Sequence, residues 1–286
     1  MNLWNRNTEI DFFQNALKSF ASPEQLFYKL NNEYFAYIPK GMKSKGQVIQ
    51  SRNSLIGQYT EKWSQLFFED IANKLGLYAV SGVACTDLGL ARNSRADLAF
   101  CTTNETEQKA SNIKLIFEVK MSIVSNYKYK NINQIEYLGD YKTHKGNPSL
   151  LRSDSMLKAI GKSVNIRVSS PSSSKIPIII LGNSPITNSY KSKVDFLKKS
   201  GMIQGFWSLH PEPTEKDYIE VTQNQGFKTF KNKKDVIKSC EELITNELNY
   251  FSSMMPTQNL GKIINLASKE PTDIERAKKF LKLINK

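Results

Sequence analysis

The segment from Leu115 to Met121 is apolar except for a glutamate and a lysine. Successive side chains of a β-strand point to opposite faces, so Glu118 and Lys120 share a face with Ile116. Charged side chains are costly to bury in such a strand unless each has a partner. The segment therefore limits the fold to one that brings partners to Glu118 and Lys120.

The segment 96–101 is predicted to be the neighbouring strand, because the turn-like stretch 102–112 joins the two segments as a β-hairpin. Asp97 then lies across from Glu118. Two carboxylates and a lysine at the edge of a strand pair suit a divalent cation, because Mg²⁺ prefers oxygen ligands and an ammonium group can act beside a metal-bound water.

Hydrophobic periodicity predicts an α/β sandwich with helical segments at both ends. The central part alternates between helices and strands, with helix 54–75 ending at Gly76. The predicted order is helix 54–75, strands 78–83, 96–101 and 114–121, helix 154–164, strand 175–181, helix 194–200 and strand 203–209.

The chain is strongly basic: its 286 residues include 40 Lys plus Arg against 27 Asp plus Glu, a formal net charge of +13. This charge suggests a polyanionic partner, first nucleic acid and second an anionic membrane surface, with a basic protein without a special partner as the alternative. The longest apolar run, 176–181, contains Pro177 and is far shorter than the roughly 20 residues of a membrane helix.

Cysteine and histidine content narrows the location and the chemistry. The N-terminus has no signal-peptide pattern, and three widely spaced cysteines without a CxxC motif fit a reducing cytoplasm. The two histidines, His144 and His210, are too few for a nuclease with several histidine ligands. Any hydrolytic chemistry is therefore expected to rest on carboxylates and lysines.

Asp97 followed by Glu118-Val119-Lys120 resembles the PD-(D/E)XK motif of type II restriction endonucleases and related DNA-repair nucleases, with Ala96 in place of the proline. The element order over 54–209 is similar to that family's core. The resemblance implies a restriction-endonuclease-like fold with a central mixed β-sheet flanked by helices. The predicted single nuclease domain, 1–286, then comprises a helical N-terminal extension (1–53), a catalytic core (54–209) with a DNA-contacting insertion (122–152), and a helical C-terminal extension (210–286).

The resemblance implies Mg²⁺-dependent cleavage of double-stranded DNA at a specific sequence. Asp97 and Glu118 would bind Mg²⁺ together with the backbone carbonyl of Val119, and Lys120 would orient or help deprotonate the attacking water. Glu61, on the helix before the strands, is a further candidate acid near the metal. For Glu61 the alternative is a solvated helical face.

Lysines and side-chain amides are concentrated in the insertion, where lysines suit phosphates and Asn or Gln can pair with adenine. The alternative is a plain polar loop. Two lysines four residues apart on helix 154–164 form a basic edge, or else are ordinary solvated lysines. The candidate DNA contacts are Lys128, Lys130, Asn131, Asn133, Gln134, Lys142, Lys145, Lys158 and Lys162.

The resemblance also implies partners: a second copy of the chain, since homodimers match palindromic sites, and a cognate DNA methyltransferase in the same system, with no membrane. Two other functions stay open. A repair or structure-specific nuclease would have the same fold. A non-catalytic DNA-binding protein would use Glu118 and Lys120 only as a structural pair, and would bind DNA in a salt-sensitive way without cutting it.

Overall fold

A computed structural model of the protein describes residues 1–19, 21–43, 49–246, 248–251 and 255–284. The sequence predicts a single domain over 1–286. Residue contacts group the chain into two compact units, Met1–Leu248 and Asn249–Lys286.

The first unit contains every predicted site residue, and its helices and strands form the framework of the site. In chain order these are α1 (Arg6–Ser19), α2 (Pro23–Leu26), β1 (Tyr28–Leu30), β2 (Glu33–Phe35), α3 (Gln50–Lys74), β3 (Tyr78–Val83), β4 (Ala96–Cys101), β5 (Ile113–Val119), β6 (Asn126–Asn131), β7 (Gln134–Gly139), α4 (Ser153–Ser169), β8 (Ile178–Gly182), α5 (Lys191–Lys199), β9 (Gly205–Ser208), β10 (Phe227–Thr229) and α6 (Lys233–Thr245).

The larger sheet has six strands in the order β10-β9-β8-β5-β4-β3. Strands β3, β4 and β5 pair antiparallel, whereas β5, β8, β9 and β10 pair parallel. The sheet is therefore mixed, and helices flank it, so the predicted α/β class is confirmed. Strand β10 lies within 210–286, a segment predicted to be helical, so that part of the prediction was wrong.

The two faces of β5 pack against different helices. Phe117 lies against Phe68 of α3, with ring centroids 4.5 Å apart. Ile116, on the other face, belongs to the buried cluster that contains Ile166 of α4. Because side chains alternate along a strand, Glu118 points to the same side as Ile116, toward α4.

A second sheet of four antiparallel strands has the order β1-β2-β6-β7. The prediction of a purely helical segment 1–53 was wrong, because β1 and β2 form a hairpin there. Its turn residues Asn31 and Asn32 have φ values of +50° and +63°, the left-handed conformation that a two-residue type I′ turn needs. The segment 122–152 supplies β6 and β7 to this sheet and is therefore not a plain polar loop.

The second unit consists of α7 (Thr257–Ala267) and α8 (Asp273–Ile284). Phe251 and Phe280 meet edge to face, with ring centroids 5.3 Å apart. Across the described part of both units, no helix combines the length and apolar character needed to cross a membrane.

Candidate active site

Strands β4 and β5 bring the first two predicted site residues together. Their antiparallel register pairs Leu98 with Phe117, which places Asp97 directly across from Glu118. The Val119 amide donates a hydrogen bond of 2.7 Å to Asp97 Oδ2. The hairpin pairing predicted from the sequence is confirmed, and the two carboxylates lie on the α4 side of the sheet.

Lys120 follows the last residue of β5, and its ammonium group turns back toward the strand end. Lys120 Nζ lies 2.6 Å from Glu118 Oε1, 3.1 Å from the Val119 carbonyl oxygen and 3.7 Å from Asp97 Oδ2. These are atoms of the three residues predicted to bind Mg²⁺. The ammonium group thus already places positive charge among the candidate metal ligands.

Lys162 of α4 contacts both carboxylates of this group. Its Nζ lies 3.1 Å from Asp97 Oδ1 and 2.6 Å from Glu118 Oε2. The Lys162 side chain is 19% exposed and that of Glu118 only 7%. Sequence reasoning grouped Lys162 with the DNA contacts, whereas the helix packing brings it into contact with both carboxylates. We call Asp97, Glu118, Lys120 and Lys162 the charged cluster.

Burial and charge act against each other on the protonation of this cluster. Burial raises the pKa of Glu118, and Asp97 raises it further, while Lys120 and Lys162 act in the opposite direction. Burial alone would lower the pKa of Lys162, but the carboxylates of Asp97 and Glu118 outweigh it, so this pKa lies above its ordinary value. The mutual contacts therefore favour a charged Lys162.

Glu61 of α3 lies close enough to the charged cluster for the cluster's charges to shift its pKa. Its side chain is exposed, yet nearby protein atoms partly desolvate the carboxyl group and, together with Asp97, raise its pKa. Lys120 and Lys162 lower the same pKa. Glu61 therefore lies on a solvated helical face, as the alternative hypothesis predicted, and this face is near the charged cluster. Glu61 adds a third carboxylate to the region.

A divalent cation would have a small set of ligands here. Among the described residues, no group of three or more His, Cys, Asp or Glu side chains is arranged to bind a metal ion. The oxygens that could bind one are those of Asp97 and Glu118 and the Val119 carbonyl, which are of the type Mg²⁺ prefers. The donor set fits Mg²⁺ in chemical type, provided that the Lys120 ammonium group moves aside.

A cavity of about 490 Å³ borders the charged cluster. Glu61, Val119 and Lys120 form one part of its wall, and three further basic side chains belong to the remainder. We call it the basic cavity. Its lining includes Tyr28, Tyr37, Arg52, Asn53, Ile56, Thr60, Ser122, Lys145, Asn147, Ser149, Arg152 and Ser155.

Five candidate DNA contacts lie on the β6–β7 hairpin. Lys128 Nζ lies 2.5 Å from Glu33 Oε1, and Lys130 Nζ lies 3.0 Å from Glu136 Oε2. Exposed ion pairs of this kind contribute about 0–1 kcal/mol, so a DNA phosphate can compete for the lysines. The turn of the hairpin carries Asn131, Asn133 and Gln134.

The remaining candidate lysines lie at separate places. Lys142 donates a 2.7 Å hydrogen bond to the Asp217 carbonyl. Lys145 donates one of 2.7 Å to the Met42 carbonyl and also lines the basic cavity. Lys158 is exposed and pairs with a carboxylate of its own helix, Asp154, at 3.1 Å. Of these three lysines, Lys145 is the one placed beside the candidate site.

Arg52 is a site residue that sequence reasoning missed. It is only 4% exposed and lines the basic cavity. A signal was present, because Arg52, Ile56 and Thr60 follow one another at four-residue spacing and all three are buried on α3. A basic residue at a buried position of a helix is unusual enough to mark a site.

Comparisons of the chain with protein-family models, with curated proteins and with solved structures found no match. The charged cluster and the basic cavity are therefore the features from which we infer function.

Proposed function

We propose that the protein is a Mg²⁺-dependent endonuclease that hydrolyses double-stranded DNA at a specific sequence, as type II restriction endonucleases do. The observation that supports this is that Asp97, Glu118 and Lys120 lie together at the open end of the β4–β5 hairpin. Lys120 Nζ is 2.6 Å from Glu118 Oε1 and 3.7 Å from Asp97 Oδ2. The net charge of +13 favours the approach of a polyanion. A restriction-endonuclease-like core built on the mixed sheet is part of the same proposal.

Each residue of the charged cluster has a role in this reaction. Asp97, Glu118 and the Val119 carbonyl would hold Mg²⁺, and the ion would supply Lewis-acid stabilisation of the negative charge on the phosphate. Lys120 Nζ turns from Glu118 toward the attacking water and orients it. Glu61 is a further candidate acid near the metal. The water oxygen bonds to phosphorus while the bond between phosphorus and the leaving oxygen breaks. The water releases one proton to solvent, and the leaving oxygen takes up a proton from solvent to become a hydroxyl group. Lys162 positions both carboxylates.

Incubation of the purified protein with a long phage DNA, with Mg²⁺ or with a chelator, tests the proposal on a gel. Discrete bands that need Mg²⁺ are expected. A smear would indicate a repair-type or non-specific nuclease of the same fold instead. Glu118→Ala and Lys120→Ala should abolish cutting and keep DNA binding, whereas Lys74→Ala, a change of an exposed lysine near the end of α3, should cut normally.

A non-catalytic DNA-binding protein is the second candidate. The observation that favours it is that Lys120 and Lys162 already neutralise Asp97 and Glu118 at distances down to 2.6 Å. Such a protein would bind DNA tightly at low salt and leave it intact at every Mg²⁺ concentration.

The proposal of a restriction enzyme extends to its partners. We propose a homodimer, because two-fold symmetry of the protein matches a palindromic site. A DNA methyltransferase of the same system would protect the host sequence. Sedimentation with and without DNA tests the first proposal, and a methyltransferase gene adjacent to this one would support the second.

A further inference from the structure

The basic cavity contains a buried cation without an acidic partner. Arg52 Nη1 donates hydrogen bonds to the carbonyl oxygens of Leu26 and Ala36. Its Nε is buried and has no hydrogen-bond partner, and within the described ranges the guanidinium group forms no ion pair with a carboxylate. A buried charge that lacks an opposite charge is costly, so this site favours an anion.

The remaining charges of the lining increase this preference. Lys145 and Arg152 are both exposed and line the same cavity, and Lys120 stands where the cavity meets the charged cluster. Against these four cations, Glu61 is the acidic residue of the lining. Arg152 has a distant pairing, 3.6 Å, with Asp154, and this exposed contact leaves it free to turn to another anion.

The tyrosines of the cavity hold Arg52 in place. The guanidinium carbon lies 5.0 Å from the ring centroid of Tyr28 and 4.9 Å from that of Tyr37. The Tyr37 ring is also stacked on His144, with centroids 4.0 Å apart. These ring contacts keep the guanidinium group at the cavity wall, where it is available to the phosphate group of a ligand.

The size of the cavity sets the size of the ligand. A volume of about 490 Å³ falls within the range of roughly 300–1,000 Å³ that is usual for small-molecule sites. A cube of that volume has an edge of about 8 Å, whereas the major groove of B-DNA alone is about 12 Å wide. One nucleotide fits such a space and a duplex does not.

We propose that the basic cavity binds one unpaired nucleotide of the DNA strand that is cut, held by its phosphate group on Arg52, Lys145 and Arg152. This inference rests on the proposed function, because the charged cluster at the cavity wall would hold the neighbouring scissile phosphate. It deepens that function, since the nucleotide beside the scissile phosphate would have to leave the base stack before the strand is cut.

Binding of free nucleotide to the full chain tests this inference without any cleavage. Deoxyadenosine 5′-monophosphate is titrated calorimetrically in chelator, with deoxyadenosine and inorganic phosphate as separate probes. Arg152→Ala and Lys145→Ala should each weaken the nucleotide about tenfold, as expected for one charge-assisted hydrogen bond. Lys74→Ala, an exposed lysine of α3 outside the cavity lining, is the matched control and should bind like the parent.

These two positions are chosen because both side chains are exposed, whereas Arg52 holds two backbone carbonyls and its replacement endangers folding. Deoxyadenosine and inorganic phosphate should each bind at least tenfold more weakly than the nucleotide. Equal binding of the nucleotide by parent and variants, no binding at millimolar concentration, or equally tight binding of inorganic phosphate would overturn the inference. Intact phage DNA together with variant-sensitive nucleotide binding would refute the nuclease and leave the cavity assignment standing.

Discussion

Replacing Lys162 with methionine tests how the charged cluster is held together. Lys162 Nζ contacts Asp97 at 3.1 Å and Glu118 at 2.6 Å, and its side chain is 19% exposed. Methionine keeps an unbranched apolar side chain at this position of α4 and removes only the charge and its hydrogen bonds. A change in the free energy of unfolding of this variant therefore reports mainly the electrostatic contacts.

The expected loss follows from the burial of the partners. Removing one member of a buried ion pair costs about 3–5 kcal/mol, because the other charge is left uncompensated. Lys120 stays 2.6 Å from Glu118 Oε1, so we expect a smaller loss at neutral pH, about 2–3 kcal/mol. Burial raises the pKa of Glu118. The loss should therefore shrink as the pH falls through that pKa and Glu118 takes up a proton.

The same variant should bind Mg²⁺ more tightly. Asp97, Glu118 and Glu61 carry three negative charges against the positive charges of Lys120 and Lys162, a sum of −1 that becomes −2 in the variant. Repulsion between a unit charge and a divalent ion 4 Å away is about 2 kcal/mol even at the dielectric constant of water. Its removal corresponds to about thirtyfold in affinity.

Urea unfolding in chelator and in saturating Mg²⁺, together with calorimetric Mg²⁺ titration, measures both effects. Lys158→Met is the matched control, because Lys158 lies one turn earlier on α4, is 72% exposed and pairs only at the surface. This control should lose less than about 1 kcal/mol and keep the parent Mg²⁺ affinity. If Lys162→Met unfolds like the parent, the charges do not hold the cluster. If it is destabilised and Mg²⁺ restores nothing, the cluster is structural and our metal assignment is wrong.

Three further predictions concern the framework around the site. Burial lowers the pKa of His144 from 6.5 to about 4. Between pH 6.5 and 4 the unfolded chain takes up a proton that the folded chain does not, so the free energy of unfolding should fall by up to about 3 kcal/mol. His144→Gln should remove that part of the pH dependence in urea unfolding. Glu9 is fully buried and accepts hydrogen bonds from Trp4, Tyr127 and two backbone amides. Glu9→Gln should lower the free energy of unfolding by about 1–3 kcal/mol in the same assay, because the new amide donor faces other donors. An unchanged unfolding midpoint would contradict this. Burial raises the pKa of the Cys101 thiol to about 12, so this thiol should not react with Ellman's reagent at pH 8 until the chain unfolds.

The part of the site that lies within one hairpin could be predicted from the sequence. The alternation of apolar residues in β5 determines which side chains share a face, and the connection 102–112 allows β4 to pair with β5 as a hairpin. In the structure Leu98 pairs with Phe117, and Asp97 therefore lies across from Glu118, as the hairpin prediction allows. These contacts lie within one hairpin.

Contacts between distant segments could not be predicted in the same way. Lys162 meets Asp97 across 65 residues of chain, and this contact depends on how α4 packs on the sheet. The pairing of β2 with β6 joins segments that are even further apart, with Lys128 and Glu33 separated by 95 residues. Helical periodicity reports that α4 has a buried face, but it does not tell which strand that face will meet. The exception is the Asn31-Asn32 turn, a local sequence signal of the β1–β2 hairpin.

The burial of the charged cluster bears on the choice between a structural and a functional role. Buried ion pairs are often no more stabilising than apolar side chains of similar size, because desolvation of the charges offsets their attraction. The positions along the same face of the sheet, Ile116 and Ala99, are apolar and fully buried. Apolar side chains at positions 118 and 162 would continue that packing without the desolvation of two charges. A role in stability alone therefore gives no reason for the cluster, whereas the proposed binding of a cation and a phosphate beside the basic cavity would.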